Sequence, residues 1–128
     1  MLKAITPSSL HPPFARYSHG IEVPAGARLV FCSGQLGISP DDTVPASAEG
    51  QADLIFSAIA AILGEAGMGM GDIVRINAYV TGREHMAGYM KVRDRFVGSP
   101  PPASTLVIVS GFTREVFKVE VEVVAARV

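Results

Sequence analysis

Apolar and polar residues alternate along this chain with two different periods, and the changes of period mark its elements. Between Asp72 and Thr81 the period is two: Val74, Ile76, Ala78 and Val80 fall on one side, Arg75, Asn77, Tyr79 and Thr81 on the other. That pattern predicts a strand with unlike faces. The same alternation returns from Glu115 to Ala126, where Phe117, Val119, Val121 and Val123 oppose Lys118, Glu120, Glu122 and Val124. From Ala48 to Ala66 the spacing lengthens. Leu54, Ile55, Ala58, Ile59, Ile62 and Leu63 form the stripe of a helix with one buried face, which Gly67 and Gly69 stop. Arg83 to Val97 repeats the helical spacing with Met86, Tyr89, Val92 and Phe96, groups Arg93, Asp94 and Arg95 toward water, and ends at Gly98-Ser99-Pro100.

Shorter signals fill the rest. Leu2 to Ile5 reads as a short strand before the breakers Thr6-Pro7-Ser8-Ser9. Tyr17 to Val23 reads as a second, turned by Pro24-Ala25-Gly26 and answered by Arg28 to Cys32 as a hairpin. Ser39 to Ser47 is a surface loop. Pro100, Pro101 and Pro102 fix φ and remove three backbone donors, so the chain there is neither helix nor central strand. Beyond them, the apolar run Leu106 to Val109 suits a strand buried on both faces. The order is therefore β-β-β-α-β-α-β-β, closing with a hairpin-like pair. A chain too short for two helical layers predicts an α+β fold, one sheet with both helices on one face. The opposite face carries Arg75, Asn77, Tyr79, Glu120 and Glu122 and has no layer of its own chain to cover it. Packing against other copies, with the polar groups gathered in pockets between them, answers that requirement.

Composition narrows the partners. The 128 residues fit one domain, and a chain of that size buries roughly two thirds of its unfolded surface. Hydrophobic residues make up 48% and charged residues 18%, with a mean hydropathy of +0.34, which is apolar for a small monomer and again suggests contact with further subunits. The net charge is −1 and no Lys/Arg run occurs, which argues against a nucleic-acid footprint or a polybasic membrane anchor and in favour of a small-molecule ligand. A single cysteine, Cys32, allows no internal disulfide framework. No spacing of His, Cys, Asp and Glu suggests a metal, and no cofactor is expected. Met1 to Leu10 lacks a signal-peptide pattern and no apolar run approaches 18 residues, so a cytoplasmic location is expected.

Tyr17-Ser18-His19-Gly20, Ser33-Gly34-Gln35, the run from Gly64 to Asp72 entering Ile73-Val74, the proline-led strand at 101–109 and Val119-Glu120-Val121-Glu122 together resemble the Rid family. This is the reactive intermediate deaminase family, also called YjgF. The resemblance spans the chain in order. It implies a chorismate-mutase-like α+β fold and a homotrimer with three ligand sites at subunit interfaces. It further implies hydrolysis of 2-imino or enamine acids to 2-oxo acids and ammonia. In well-known members the strand after the proline begins Pro-Ala-Arg-Ser, and the arginine clamps the substrate carboxylate. Here those four are Pro101-Pro102-Ala103-Ser104, so Ala103 stands in the arginine's place. Losing its two charge-assisted bonds is worth about 1.5 to 3 kcal/mol, roughly ten- to a hundredfold in affinity. The resemblance also carries Glu120 to the position that handles the hydrolytic water, Tyr17 to a pocket tyrosine, Ser33 and Gly34 to the loop over the ligand, and Thr105 to a position that is cysteine in many members. A family Asn and Tyr of the second helix match Tyr89 and Val92 here.

Several of these residues admit plainer readings. Alternation alone makes Glu120 an exposed carboxylate paired with Arg75, and Arg75 its salt-bridge partner; the other reading makes Arg75 the cation that replaces the missing arginine. Glu122 reads as an interface ion-pair residue. Tyr17 could cap the core, and His19, two residues on, shares its face. His11 and His85 read as loop and helix residues, and Cys32 as a buried strand residue. The expected reaction is hydrolytic deamination of an imine, enamine or related amino compound outside the usual 2-imino acids, the alternative being a non-catalytic trimer that binds a small metabolite.

Overall fold

The computed structural model describes all 128 residues, Met1–Val128. Its elements follow in the order β1 (Lys3–Ile5), β2 (Gly20–Glu22), β3 (Arg28–Leu36), α1 (Ala48–Glu65), β4 (Ile73–Val80), α2 (Met86–Phe96), β5 (Ala103–Ile108) and β6 (Val119–Arg127), with short 3-10 turns at Met70–Asp72 and Arg83–His85. The fold is α+β. A four-stranded sheet of order β3-β6-β4-β5 carries both helices on one face. Neither helix is long and apolar enough to cross a membrane.

The alternating strands bury the side expected of them. Ile76, Ala78 and Val80 of β4 and Val119, Val121 and Val123 of β6 join Ile55, Phe56, Ile59 and Leu63 of α1 and Tyr89 and Val92 of α2 in one core. Full burial of the four α1 side chains contributes about 6 to 12 kcal/mol of gross transfer energy, an upper bound because unfolded chains already bury some apolar surface. Ser47 caps α1 by accepting the Gly50 N–H at 3.0 Å. At the other end Gly67, at φ 70, donates to Gly64 while Met68 donates to Leu63, closing the helix where the glycines were expected to.

Gln51 ties this helix to the sheet. It is wholly buried, donates to the carbonyls of Pro45 at 2.9 Å and Val116 at 2.8 Å, and accepts from the Lys118 N–H at 2.8 Å. The helix lies so close to Gly37 that a Cβ there would stand 2.6 Å from the Gln51 Cα.

Four expectations from the sequence are corrected. The segment Tyr17–Val23 is a strand only over Gly20–Glu22, and it pairs antiparallel with β1 instead of forming a hairpin with β3. A turn such as Pro24-Ala25-Gly26 serves equally to return a strand on itself or to send it to another sheet. Arg28–Cys32 continues to Leu36, through a bulge between Cys32 and Gln35. The last two strands are not a pair: β6 lies between β3 and β4, whereas β5 runs parallel to β4 at the edge. Val107, in register with Tyr79 on the face without helices, and Ile108, at the end of the strand, are 41% and 45% exposed instead of buried on both faces. Along the other edge of β5 only Ser18 reaches it, in a single parallel bridge to Ala103.

Candidate functional site

The sheet face away from the helices is polar and open. Antiparallel register sets Tyr79 opposite Glu120 and Asn77 opposite Glu122, and parallel register sets Arg75 beside Ala103 and Asn77 beside Thr105. Glu122 Oε1 accepts the Tyr79 hydroxyl at 2.8 Å and Asn77 Nδ2 at 3.4 Å. Arg75 donates through Nε to Asn77 Oδ1 at 3.0 Å and through Nη2 to Thr105 Oγ1 at 2.9 Å, and it forms no ion pair with either glutamate. The salt-bridge reading of Arg75 and Glu120 is thereby set aside. A hydrogen bond to Glu122, with desolvation behind it, raises the Tyr79 pKa.

Glu120 has no hydrogen-bonded partner to hold it; its place is made by the bulge in β3. Ser33 and Gly34 together oppose the one residue Glu122, which pushes the backbone of Gly34 against the neighbouring strand. The Glu120 carboxylate occupies the space a side chain would fill there: a Cβ on Gly34 would meet Oε2 at 2.7 Å and Cδ at 2.8 Å. Desolvation first, and the charge of Glu122 second, raise the proton affinity of Glu120 above that of an ordinary glutamate. A carboxylate in that condition can take a proton from water and return it to a leaving nitrogen. Beside it Ser33, Asn77, Glu122 and Phe31 line a hollow of about 390 Å³.

A second concavity, a groove of about 310 Å³, lies around the start of β5, lined by Phe14, Tyr17, Met86, Met90, Arg93 and Ser104–Leu106 among others. Ser18 fixes the loop that bears Tyr17 by donating to the Pro101 carbonyl through Oγ at 2.6 Å and to the Pro102 carbonyl through N–H at 3.0 Å. The Tyr17 hydroxyl accepts the Phe14 N–H at 3.4 Å, and its ring meets that of His19 edge-on at 5.9 Å. His19 bonds the His11 carbonyl at 3.0 Å and is exposed.

One chain thus brings Glu120, Gly34, Ser33, Arg75, Thr105 and Ala103 to the open face, and Tyr17 and Ser104 to the groove. Thr105 belongs to both, since its strand is the edge. Glu120 and Tyr17 do not meet. β4 separates β6 from β5, two strand spacings of about 4.8 Å each. Tyr89 and Val92, matched to family positions by sequence, are wholly buried; the residues α2 turns to the groove are Met86, Met90 and Arg93. No group of three His, Cys, Asp or Glu side chains is placed to hold a metal ion.

The family model described as Endoribonuclease L-PSP matches residues 8–127. This chain belongs to the Rid/YjgF family. A RutC family protein of Pyrococcus abyssi is 30% identical over 115 residues, covering 88% of this chain and 87% of that protein. TdcF of Escherichia coli, whose name presents it as a candidate reactive intermediate deaminase, is 29% identical over 87% of this chain and 86% of its own. The crystal structure of E. coli TdcF with bound serine superposes at a TM-score of 0.73, with 28% identity and coverage of 96% and 94%. A Rid-family protein of Yersinia pestis, its function unknown, superposes at 0.87 over 98% of both chains; at 22% identity that likeness speaks for the fold alone.

Proposed function

We propose that this Rid-family chain is a hydrolytic deaminase of an imine, enamine or related small amino compound other than the usual 2-imino acids. It works without a cofactor, in the cytoplasm, as a homotrimer whose ligand clefts lie between subunits. The observation that carries the reading is the Glu120 carboxylate seated over Gly34 with its proton affinity raised. Glu120 accepts a proton from water as the water oxygen adds to the imine carbon. It passes that proton to the imine nitrogen, giving a carbinolamine, then takes the carbinolamine hydroxyl proton and delivers it to nitrogen as the carbon–nitrogen bond breaks, leaving a carbonyl and ammonia. Thr105, its hydroxyl held by Arg75, stands beside Ala103 as a further contact for water or ligand. The separation of Tyr17 from Glu120 within one chain supports a cleft completed by a neighbouring copy. Relatives named for reactive-intermediate deamination support the reaction class.

The test is hydrolysis of 2-iminopropionate, 2-iminobutyrate and a panel of unsaturated amines, generated in a coupled oxidase or dehydratase system, by wild type and Glu120→Ala. Rates equal to buffer on every compound refute the proposal. Ala103→Arg, made with Arg75→Ala to remove a like charge in register, is expected to raise kcat/KM on 2-iminobutyrate by roughly ten- to a hundredfold. Unchanged kcat/KM means that the rest of the site does not serve that substrate.

A second reading, a non-catalytic trimer that binds a small metabolite, is favoured by one observation: Ala103 places no charge at the start of β5. Ligand-induced thermal stabilisation without turnover supports it. A Glu120→Ala change that abolishes turnover and spares binding refutes it.

A further inference from the structure

We infer, resting on the reading of this chain as a small-molecule enzyme, that Arg16 is a positioning residue: it fastens the loop bearing Tyr17 to the end of α2 and so sets the width of the groove beside β5. Two walls of that groove come from distant parts of the chain. Tyr17 belongs to the irregular stretch between β1 and β2, whereas Met86 and Met90 belong to α2. Strand pairing ties the loop to β5 through Ser18 and Ala103, but it reaches no part of the helix.

Arg16 supplies the missing tie. Its guanidinium donates through Nη1 to the carbonyls of Asp94 at 3.1 Å and Val97 at 3.2 Å, and through Nη2 to that of Gly98 at 2.7 Å. Carbonyls in the last turn of a helix and just beyond it lack partners within the helix, and a cation is favoured there. The planar fork of an arginine, its donors fixed in direction, spans three such oxygens; the ammonium of a lysine is a point charge without that geometry. Tyr17 has little else to hold it. Its hydroxyl accepts the Phe14 N–H at 3.4 Å and donates to no group of the chain, and its own N–H reaches only the Ala15 carbonyl, at 3.1 Å. The residues on either side therefore fix it: Arg16 toward α2, and Ser18, bonded to the Pro101 and Pro102 carbonyls, toward the entry of β5. Without Arg16 the loop pivots on Ser18 alone, and the Tyr17 wall is free to draw away from Met86 and Met90.

The chain has three tyrosines, so labelling with 3-fluorotyrosine gives three fluorine signals, each assigned by one variant, Tyr17→Phe, Tyr79→Phe or Tyr89→Phe. In Arg16→Ala the Tyr17 signal is expected to shift or broaden, while those of Tyr79 on the open face and Tyr89 in the core stay in place. On an unsaturated amine that wild type hydrolyses, KM is expected to rise about two- to tenfold, the worth of one neutral hydrogen bond. The change in kcat is expected to be smaller, because Tyr17 does not meet Glu120 within the chain. An unmoved Tyr17 signal overturns the inference. Equal movement of the Tyr89 signal also overturns it, since Arg16 then serves the helix as a whole. If Arg16→Ala does not fold, Arg16→Lys takes its place: the charge stays at the helix end without the fork, and the same outcomes decide. Should no imine be hydrolysed while the Tyr17 signal alone moves, the deaminase reading falls and this one stands. Should imines be hydrolysed with KM unchanged in Arg16→Ala, this one falls alone.

Discussion

Gly34→Ala separates the position of Glu120 from the stability of the fold. The added Cβ would stand 2.7 Å from Glu120 Oε2, whereas ordinary contacts begin at 3.4 Å, so the carboxylate must retreat by about 0.7 Å. The atoms in the way are the far end of a side chain at the open face, which can swing aside. The backbone carries no penalty either, because Gly34 does not adopt a positive φ. Alanine also reduces the freedom of the unfolded chain, a gain of about 0.4 to 1 kcal/mol. Melting temperature is therefore expected to stay level or rise slightly. Turnover is expected to fall by about a hundredfold, the usual effect of a misplacement near 1 Å on a reacting group. The assay is kcat/KM on whichever unsaturated amine the wild type hydrolyses, with thermal melts of the same preparations. Adding Glu120→Gln completes a double-mutant cycle, in which the two losses should overlap instead of adding. Full activity in Gly34→Ala, or strictly additive losses, would refute the assignment of Glu120.

Two further perturbations test the surroundings. Because Glu122 raises the proton affinity of Glu120, the acid limb of the kcat/KM–pH profile should lie above the ordinary glutamate value, and Glu122→Gln should move it to lower pH; an unmoved limb contradicts the coupling. The sign for stability follows from the same shift: folding favours protonated Glu120, so its contribution is full below the unfolded pKa and is lost as pH rises through the folded one. Gln51→Leu removes the hydrogen bonds to the Pro45 and Val116 carbonyls and to the Lys118 N–H, and at about 0.5 to 1.5 kcal/mol for each of these part-buried bonds it should cost about 1.5 to 4.5 kcal/mol in urea unfolding.

What the sequence made legible was whatever depends on a period. β4, β6 and α1 show their inner sides as Ile76, Val121 and Ile59, and these are the sides the core holds. Strand pairing has no such signature: Pro24-Ala25-Gly26 looks the same whether β2 turns back on β3 or passes it on. β5 misled for a different reason. Leu106 to Val109 are apolar whether or not this chain covers them, so burial on two faces was read from residues that one chain leaves half open. The approach of Glu120 to Gly34 depends on the β3–β6 register and its bulge, which no local pattern encodes. Arg93 was hidden by its neighbours, since three charges in a row read as a wet surface although the helical turn carries only the first of them inward.

The place of β6 between β3 and β4 also governs how the protein is made. Chains emerge from synthesis N-terminus first, yet the strand that joins the two halves of the main sheet is the last element, Val119–Arg127. Until it arrives, β3 has no partner in that sheet, β4 can pair only with β5, and the apolar side of α1 has only part of its floor. Nascent chains halted before Val119 would present two unpaired strand edges, the kind of surface that recruits chaperones or aggregates. Completion of the sheet thus waits for the last-made of its four strands, and loss of Val119–Arg127 removes the centre of the sheet, not its margin.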